Sequence, residues 1–282
     1  GNEIFKIGQV ESVAVLKQYR RYKVFKSLAE FANSDIKDKL NLIYTFPNDK
    51  SIHTFIKYNN YTLVGSLPTY ILPTRLNKII SSKMNLFGLE NIFGCVMQWY
   101  LNRLKKNLNK DEYIFSINSF DDNINRLFED FNRNYLFSLT RGEAFLRWRY
   151  IDRPEIDYKI AGIKSSSNLD AVVVYKKDVI LKNNCIIILD LAFKDIIYAQ
   201  KLLNGITSHE AKNDPDFESS FVFLAGYIKN INKLKSCGFL RIPDKVNPRK
   251  LNLLIKNIGS KKLTKASDSS SWLVTLGDWD VF

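Results

Sequence analysis

The 282-residue sequence has only two histidines, His53 and His209, and three cysteines, Cys95, Cys185 and Cys237, with no CxxC pair among them. So few ligands at such wide spacing assemble neither a structural zinc site nor a disulfide framework, and no metal is expected. Cys185 and Cys237 lie in apolar surroundings and read as packed thiols. No apolar run approaches the roughly 20 residues that cross a bilayer. The opening GNEIFKIGQV is neither a signal peptide nor a transit sequence, so a cytoplasmic location is expected. Acidic residues are also scarce, 29 Asp and Glu against 42 Lys and Arg, for a net charge of +13. That surplus is dispersed among asparagine and isoleucine, and no recognition-module signature accompanies it, so nucleic acid is not the expected partner.

What is present is a globular composition, 45% apolar and 13% aromatic, long enough for one large domain or two of ordinary size. Period and punctuation predict a strand at 9–16, a helix at 21–33, a strand at 40–46, a helix at 50–58 and a strand pair at 61–72 closed by Pro73. A long helical stretch, 76–107, leads to a polar boundary at 105–112. Beyond it the pattern predicts a strand at 113–117, helices at 121–132 and 142–150, and strands at 157–163, 170–176 and 185–191. The run Cys185–Leu191 is apolar enough to be buried on both faces. A helix at 194–204, a strand at 219–225, a helix at 229–236 and closing strands complete the chain. The expected class is α/β, a mixed sheet with helices packed on it.

The second half repeats the order of the first, and in each half a helix stops in the same way. Lys57-Tyr58-Asn59-Asn60-Tyr61 and Lys235-Ser236-Cys237-Gly238-Phe239 both set a residue that tolerates left-handed backbone ahead of an aromatic that opens a strand. The expected organisation is therefore 1–75 as one half, 76–112 as a helical connector and 113–282 as the other half.

The stretch SVAVLKQYRRYKVFKSL, Ser12 to Leu28, runs from strand to helix through a basic turn, with Val24, Leu28 and Phe31 on one helical face. Helix N-termini offer unpaired amides and a positive dipole end, so such a turn suits a pyrophosphate, yet this one contains no glycine. Farther on, FLRWRYIDRP places Phe145, Trp148 and Ile151 at helical spacing, the pattern of a packing helix flanked by Arg147 and Arg149. Asp278 and Asp280 near the end are weak metal or acceptor candidates.

Together, VAVLKQYRRYKVFKSL, IYTFPNDKS, KSCGF, FLRWRYIDRP and WLVTLGDWDVF resemble the GNAT superfamily of N-acetyltransferases, above all tandem bacterial members associated with polysaccharide and sugar modification. The resemblance implies two GNAT-like halves and an N-acetyl or acyl transfer from acetyl-CoA or another acyl-CoA to a small-molecule amine, of a nucleotide sugar or surface-glycan precursor. It places the pantetheine arm along Val13, Ala14 and Val15 and the pyrophosphate at Arg20, Arg21, Lys23 and Val24, with Asn48 opening the helix that follows. Lys23 and Phe25 stand where the family has glycine or a small residue, and Phe55 stands where it has a catalytic tyrosine, leaving Tyr58 and His53 as substitutes. The family pattern also sets a strand, helices and two more strands ahead of Ser12, so the first half is expected to be truncated at its start. Two alternatives remain open: a catalytically degenerate GNAT-fold binding protein, and a Fem-like aminoacyl transferase using charged tRNA.

Overall fold

Strand β1 (Ile7–Gln9) lies parallel to β2 (Leu42–Thr45), Ile7 opposite Leu42 and Gln9 opposite Tyr44. They open the first of two sheets in the computed structural model, which describes residues 4–74, 99, 102–104, 107–109, 112–153, 155–165, 168–180, 182–245, 247, 250–259 and 263–279. The chain forms two compact units. One comprises the described residues within Gly1–Leu67, Pro243–Trp272 and Trp279–Val281, the other those within Pro68–Ile242 and Leu273–Asp278.

In the first unit the strand order is β1, β2, β11 (Asn252–Asn257) and β3 (Thr62–Ser66), with β11 antiparallel to both neighbours. Helices α1 (Val24–Ile36) and α2 (Ile52–Asn59) accompany it. The core gathers Ile43, Phe55, Tyr61 and Leu254, with Phe25, Ile36 and Leu40 packed on them. The ring of Phe55 meets both Phe25 and Tyr61 edge to face with centroids 5.2 Å apart. A buried aromatic of this kind stabilises by about 2–3 kcal/mol, so Phe55 serves packing while also bordering the cavity described below, where it brings no hydroxyl.

The second unit has the order β10 (Leu240–Ile242), β4 (Thr69–Pro73), β9 (Phe221–Tyr227), β8 (Asn183–Phe193), β7 (Asn168–Ile180), β6 (Tyr158–Ser165) and β5 (Glu112–Ser116). All neighbours are antiparallel except β8 and β9. Helices α3 (Asp122–Asn132) and α5 (Ile196–Asn213) pack on the sheet, and α4 (Glu143–Tyr150) precedes β6. Val172–Val174 and Ile186–Leu189 are buried on successive residues, which requires cover on both faces. Cys185 and Cys237 are buried, and burial pushes the Cys185 thiol up to about 12.

The same four-strand order occurs twice: parallel β1 and β2 followed by β11 and β3, parallel β8 and β9 followed by β4 and β10. In each case the third strand comes from the distant part of the chain. The helix stops repeat too: Asn60 has φ 55° and Gly238 φ 98°, and the following Tyr61 and Phe239 amides donate back to Phe55 and Leu234 carbonyls.

Several expectations require correction. Residues 10–16 are not a strand, because Ser12 takes φ 51°, a left-handed backbone that ends pairing. Only Ile7–Gln9 therefore occupies the place in the first sheet that β8 holds in the second. The helix expected at 21–33 is a 3₁₀ helix (Lys17–Tyr22) joined to α1 through Lys23. Val24, Leu28 and Phe31 face outward, and Phe25, Ala29 and Ile36 face the sheet. The expected pair at 61–72 is no pair, since β3 joins β11 and β4 joins β9. For the same reason the compact units are discontinuous in sequence. The segment Ile231–Cys237 is a 3₁₀ helix. In α4 the buried face is Leu146, Arg149 and Tyr150, with Trp148 and Ile151 exposed. Asp278 is no open metal candidate but lies buried against Arg141. The helical stretch predicted at 76–107 lies almost wholly outside the described residues, as do Cys95 and Asp280.

Candidate functional site

Past Gln9 the parallel strands separate. The Val10 amide still donates to the Tyr44 carbonyl at 2.9 Å, and Thr45 Oγ1 donates to the Val10 carbonyl at 2.8 Å, a side chain replacing the next rung of the ladder. Ser12 then turns the chain away from β2, opening a cavity of about 1100 Å³ within the first unit. Val13, Ala14 and Val15 line one side; Thr45, Phe46, Pro47, Asn48, Ser51, Thr54 and Tyr58 line the other. Leu251 and Trp279 also line it, the Trp279 ring centroid 6.0 Å from that of Phe46.

The basic turn forms the cationic side of this cavity. Arg20 Nε donates to the Val15 carbonyl at 3.1 Å, tying the 3₁₀ helix to the wall. Lys23, φ 56° and ψ 21°, ends the 3₁₀ helix and starts α1, a left-handed junction at the position where the family pattern has glycine. Arg20, Lys23, Lys26, Lys50 and Lys250 line the cavity against a single acid, Glu11. On the opposite side Asn48 Oδ1 accepts from the amides of Lys50 and Ser51, each at 3.0 Å, fixing the entry into α2.

Of the residues expected from sequence, the fold brings Val13, Ala14, Val15, Arg20, Lys23, Asn48 and Tyr58 to one cavity. Arg21, Val24 and His53 are not among the lining residues; all three are exposed, and the His53 ring stands edge to face with Tyr58 at 6.5 Å. Thr45, Phe46, Lys26, Lys250, Leu251 and Trp279 were not anticipated as part of a site. No local motif marks Lys250 and Leu251, which enter this unit with β11, and the closing motif that contains Trp279 pointed to no site role for that residue. Among the described residues no group of three or more His, Cys, Asp and Glu could hold a metal, and no helix is long and apolar enough to cross a membrane.

The equivalent separation in the second unit is filled. Strands β8 and β9 pair from Cys185 and Phe221 to Ile188 and Leu224, and β12 (Val274–Thr275) then pairs with β9 at Tyr227 and Gly226. Gly226 is required there: a Cβ would lie 2.4 Å from the Val274 carbonyl oxygen. Thr275 Oγ1 donates to Asp190 on β8 at 2.7 Å, so the short strand is tied to both sides of the gap. Arg141 donates to Asp190 Oδ1 at 2.9 Å and to Asp278 at 2.7 Å, and the Tyr150 hydroxyl donates to Asp190. Arg149 donates to the Gly277 carbonyl at 3.2 Å. Burial pushes the Tyr150 hydroxyl well up, reinforced by the Asp190 charge, so it stays a donor. Burial also raises the Asp278 carboxyl, opposed by Arg141.

No family model matches this sequence, and no curated protein matches it. Solved structures do. A GCN5-related N-acetyltransferase from Anabaena variabilis superposes with a TM-score of 0.59 at 9% identity, over 89% of this chain and 54% of that one. A conserved Enterococcus faecalis protein described as a probable N-acyltransferase gives 0.56 at 11% identity, over 90% and 55%. A tandem GNAT protein from the clavulanic acid biosynthesis pathway gives 0.50 at 10% identity, over 90% and 76%. The chain thus spans about half the length of the first two. At these identities the likeness is one of fold: the mixed α/β architecture with two sheets is that of tandem GNAT structures.

Proposed function

We propose that the first unit binds an acyl-CoA in the opening between β1 and β2 and transfers its acyl group to an amine. The observation that carries this reading is the contrast between the two separations, one a cavity with a cationic turn at its side, the other packed with its own chain. The cavity suits the group in size, in its excess of cationic side chains, and in the stretch Val13–Val15, whose backbone takes no part in the sheet. An acyl-CoA supplies a thioester whose acyl carbon forms a C–N bond with the amine as the C–S bond breaks.

The residues of this chain then divide the work. Arg20 and Lys23 neutralise a pyrophosphate, helped by the N-terminal end of α1. Val13, Ala14 and Val15 offer main-chain groups to an amide-bearing arm. Tyr58 lines the cavity, and its phenol is the group proposed to hand a proton to the departing thiolate, the proton shed by the amine nitrogen passing through solvent to restore it. His53, exposed beside it, is a positioning neighbour of that ring. Phe46 and Trp279 exclude water from the far wall. The acceptor is proposed to be an amino group of a nucleotide sugar or surface-glycan precursor, following the sequence resemblance.

A second reading, a binding protein without turnover, is favoured by one observation: the residue lining the cavity at the resemblance's catalytic position is Phe55, which carries no hydroxyl. Both readings meet the same experiment. Calorimetry with acetyl-CoA, followed by a thiol-release assay over a panel of amino sugars, is expected to show binding and then turnover. Binding with no thiol release would leave the non-catalytic reading, and no binding would remove both.

A further inference from the structure

The segment that supplies the basic turn has a second side. Leu16, Tyr19 and Tyr22 recur every three residues along the 3₁₀ helix Lys17–Tyr22, a spacing that stacks them on one face. Val24, Leu28 and Phe31 then recur at the α-helical spacing on α1. All six are exposed; Tyr22, Phe31 and Leu16 are 74%, 72% and 68% accessible. None of the six lines the cavity. The corresponding helix of the second unit, α5, contrasts sharply, since it buries Ala199, Leu202, Leu203 and Ile206 while α1 buries no residue.

Apolar stripes of this size mark a binding surface, and charge identifies the partner. From Leu16 to Phe31 the sequence has five basic residues and one acidic residue, Glu30, which pairs with Lys26 at 3.7 Å, leaving an excess of four cations. Lys17 and Arg21 are exposed and, unlike Arg20, Lys23 and Lys26, lie outside the cavity lining. A second copy of this surface would set like charges against one another. A nucleic acid would satisfy the cations and leave Leu16, Val24 and Leu28 without apolar contact. An anionic bilayer surface satisfies both, because aliphatic and aromatic side chains enter the acyl boundary while Lys and Arg reach headgroup phosphates.

We infer that the face formed by the 3₁₀ helix and α1 docks on an anionic lipid surface, with Leu28 and Phe31 inserted and Lys17 and Arg21 at the headgroups. The inference stands apart from the proposed acyl transfer, since it uses none of the cavity residues.

Co-sedimentation with vesicles of phosphatidylcholine alone, and of phosphatidylcholine with about a third phosphatidylglycerol, tests it. The protein is expected to partition onto the anionic vesicles only, with binding falling as salt shortens the Debye length. The Leu28→Ser, Phe31→Ser double variant is expected to lose at least tenfold in partitioning. Lys17→Gln with Arg21→Gln is expected to lose roughly fivefold per charge. Acetyl-CoA binding of the Leu28→Ser, Phe31→Ser variant and circular dichroism of both variants are expected to match the parent, showing intact cavity and fold. A parent that stays in the supernatant, sediments equally with neutral vesicles, or is unaffected by the double variant overturns the inference. So would a dimer in sedimentation velocity that the double variant makes monomeric, since the face would then belong to a second copy.

Discussion

Arg141 donates through Nη2 to both carboxylate oxygens of Asp278, each at 2.7 Å, with both side chains almost wholly buried. The same guanidinium holds Asp190, so one cation compensates two buried carboxylates at the separation of β8 and β9. Arg141→Met would leave both uncompensated. Breaking a buried pair costs about 3–5 kcal/mol, and urea unfolding is expected to show a loss of that order, with Asp278→Asn losing less.

Gly277 lies against the same cluster. A Cβ there would stand 2.1 Å from the Tyr150 hydroxyl and 2.6 Å from Asp190 Oδ2, closer than atoms can pack. Gly277→Ala is expected to lower stability by about 1–3 kcal/mol, the usual range for overpacking. A melt indistinguishable from the parent would mean that this segment does not hold the gap closed.

Glu112 accepts from Lys201 Nζ at 2.7 Å and from the Asn109 amide at 2.6 Å. Burial raises its carboxyl, but the Asn109 amide and the Lys201 ammonium outweigh burial and hold it below the ordinary value. A depressed carboxylate adds stability above the unfolded value of about 4.3 and loses it as pH falls through the lower folded one. The stability gap between the parent and Glu112→Gln is expected to be flat from pH 5 to 8 and to shrink below about pH 4.3. Chemical denaturation across that range measures it.

Lys23 stands in left-handed backbone, which strains an L-residue by about 1–2 kcal/mol. Glycine relieves that strain and gives back about 0.5–1 kcal/mol in unfolded-chain entropy. Lys23→Gly is therefore expected to be neutral to about 1 kcal/mol stabilising, and to tighten acetyl-CoA binding by opening the amides at the start of α1. Lys23→Ala keeps the strain and loses the charge, so calorimetry is expected to show weaker binding. Arg20→Ala is expected to weaken it as well.

If Tyr58 supplies the proton to the leaving thiolate, Tyr58→Phe lowers kcat by about 10²–10⁴, the range for a general acid, while acetyl-CoA affinity holds. An equal loss in affinity and turnover would assign Tyr58 to binding alone. His53→Ala is expected to change kcat by less than tenfold, because its ring touches the Tyr58 ring from outside the cavity.

Much of the fold was legible because it rests on local rules. Alternation and apolar runs placed β2 to β9, while β1 lies ahead of the expected 9–16 and β10 to β12 had no bounds beyond closing strands; Asn60 and Gly238 stop their helices with positive φ as the repeated sequence pattern implied. The basic turn was equally legible, since Val13, Ala14, Val15, Arg20 and Lys23 are close in sequence and all line the cavity. What periodicity misjudged was direction: Val24, Leu28 and Phe31 share a helical face, but spacing cannot tell which apolar face meets the sheet.

The sequence by itself determined the mixed α/β class, the helix stops and the cationic turn, because each depends on residues within a few positions of one another. Only the tertiary structure decided that β11 enters the first sheet and β4 the second, since pairings such as Leu254 with Thr45 and Thr69 with Ala225, so far apart in the chain, leave no local signal. That pairing brings Leu251 to the cavity of the first unit, to which Trp279 also belongs. In the second unit it was the seating of Val274–Asp278 that filled the gap: Thr275 joins β9 through the backbone and β8 through its hydroxyl, contacts fixed by three-dimensional proximity alone.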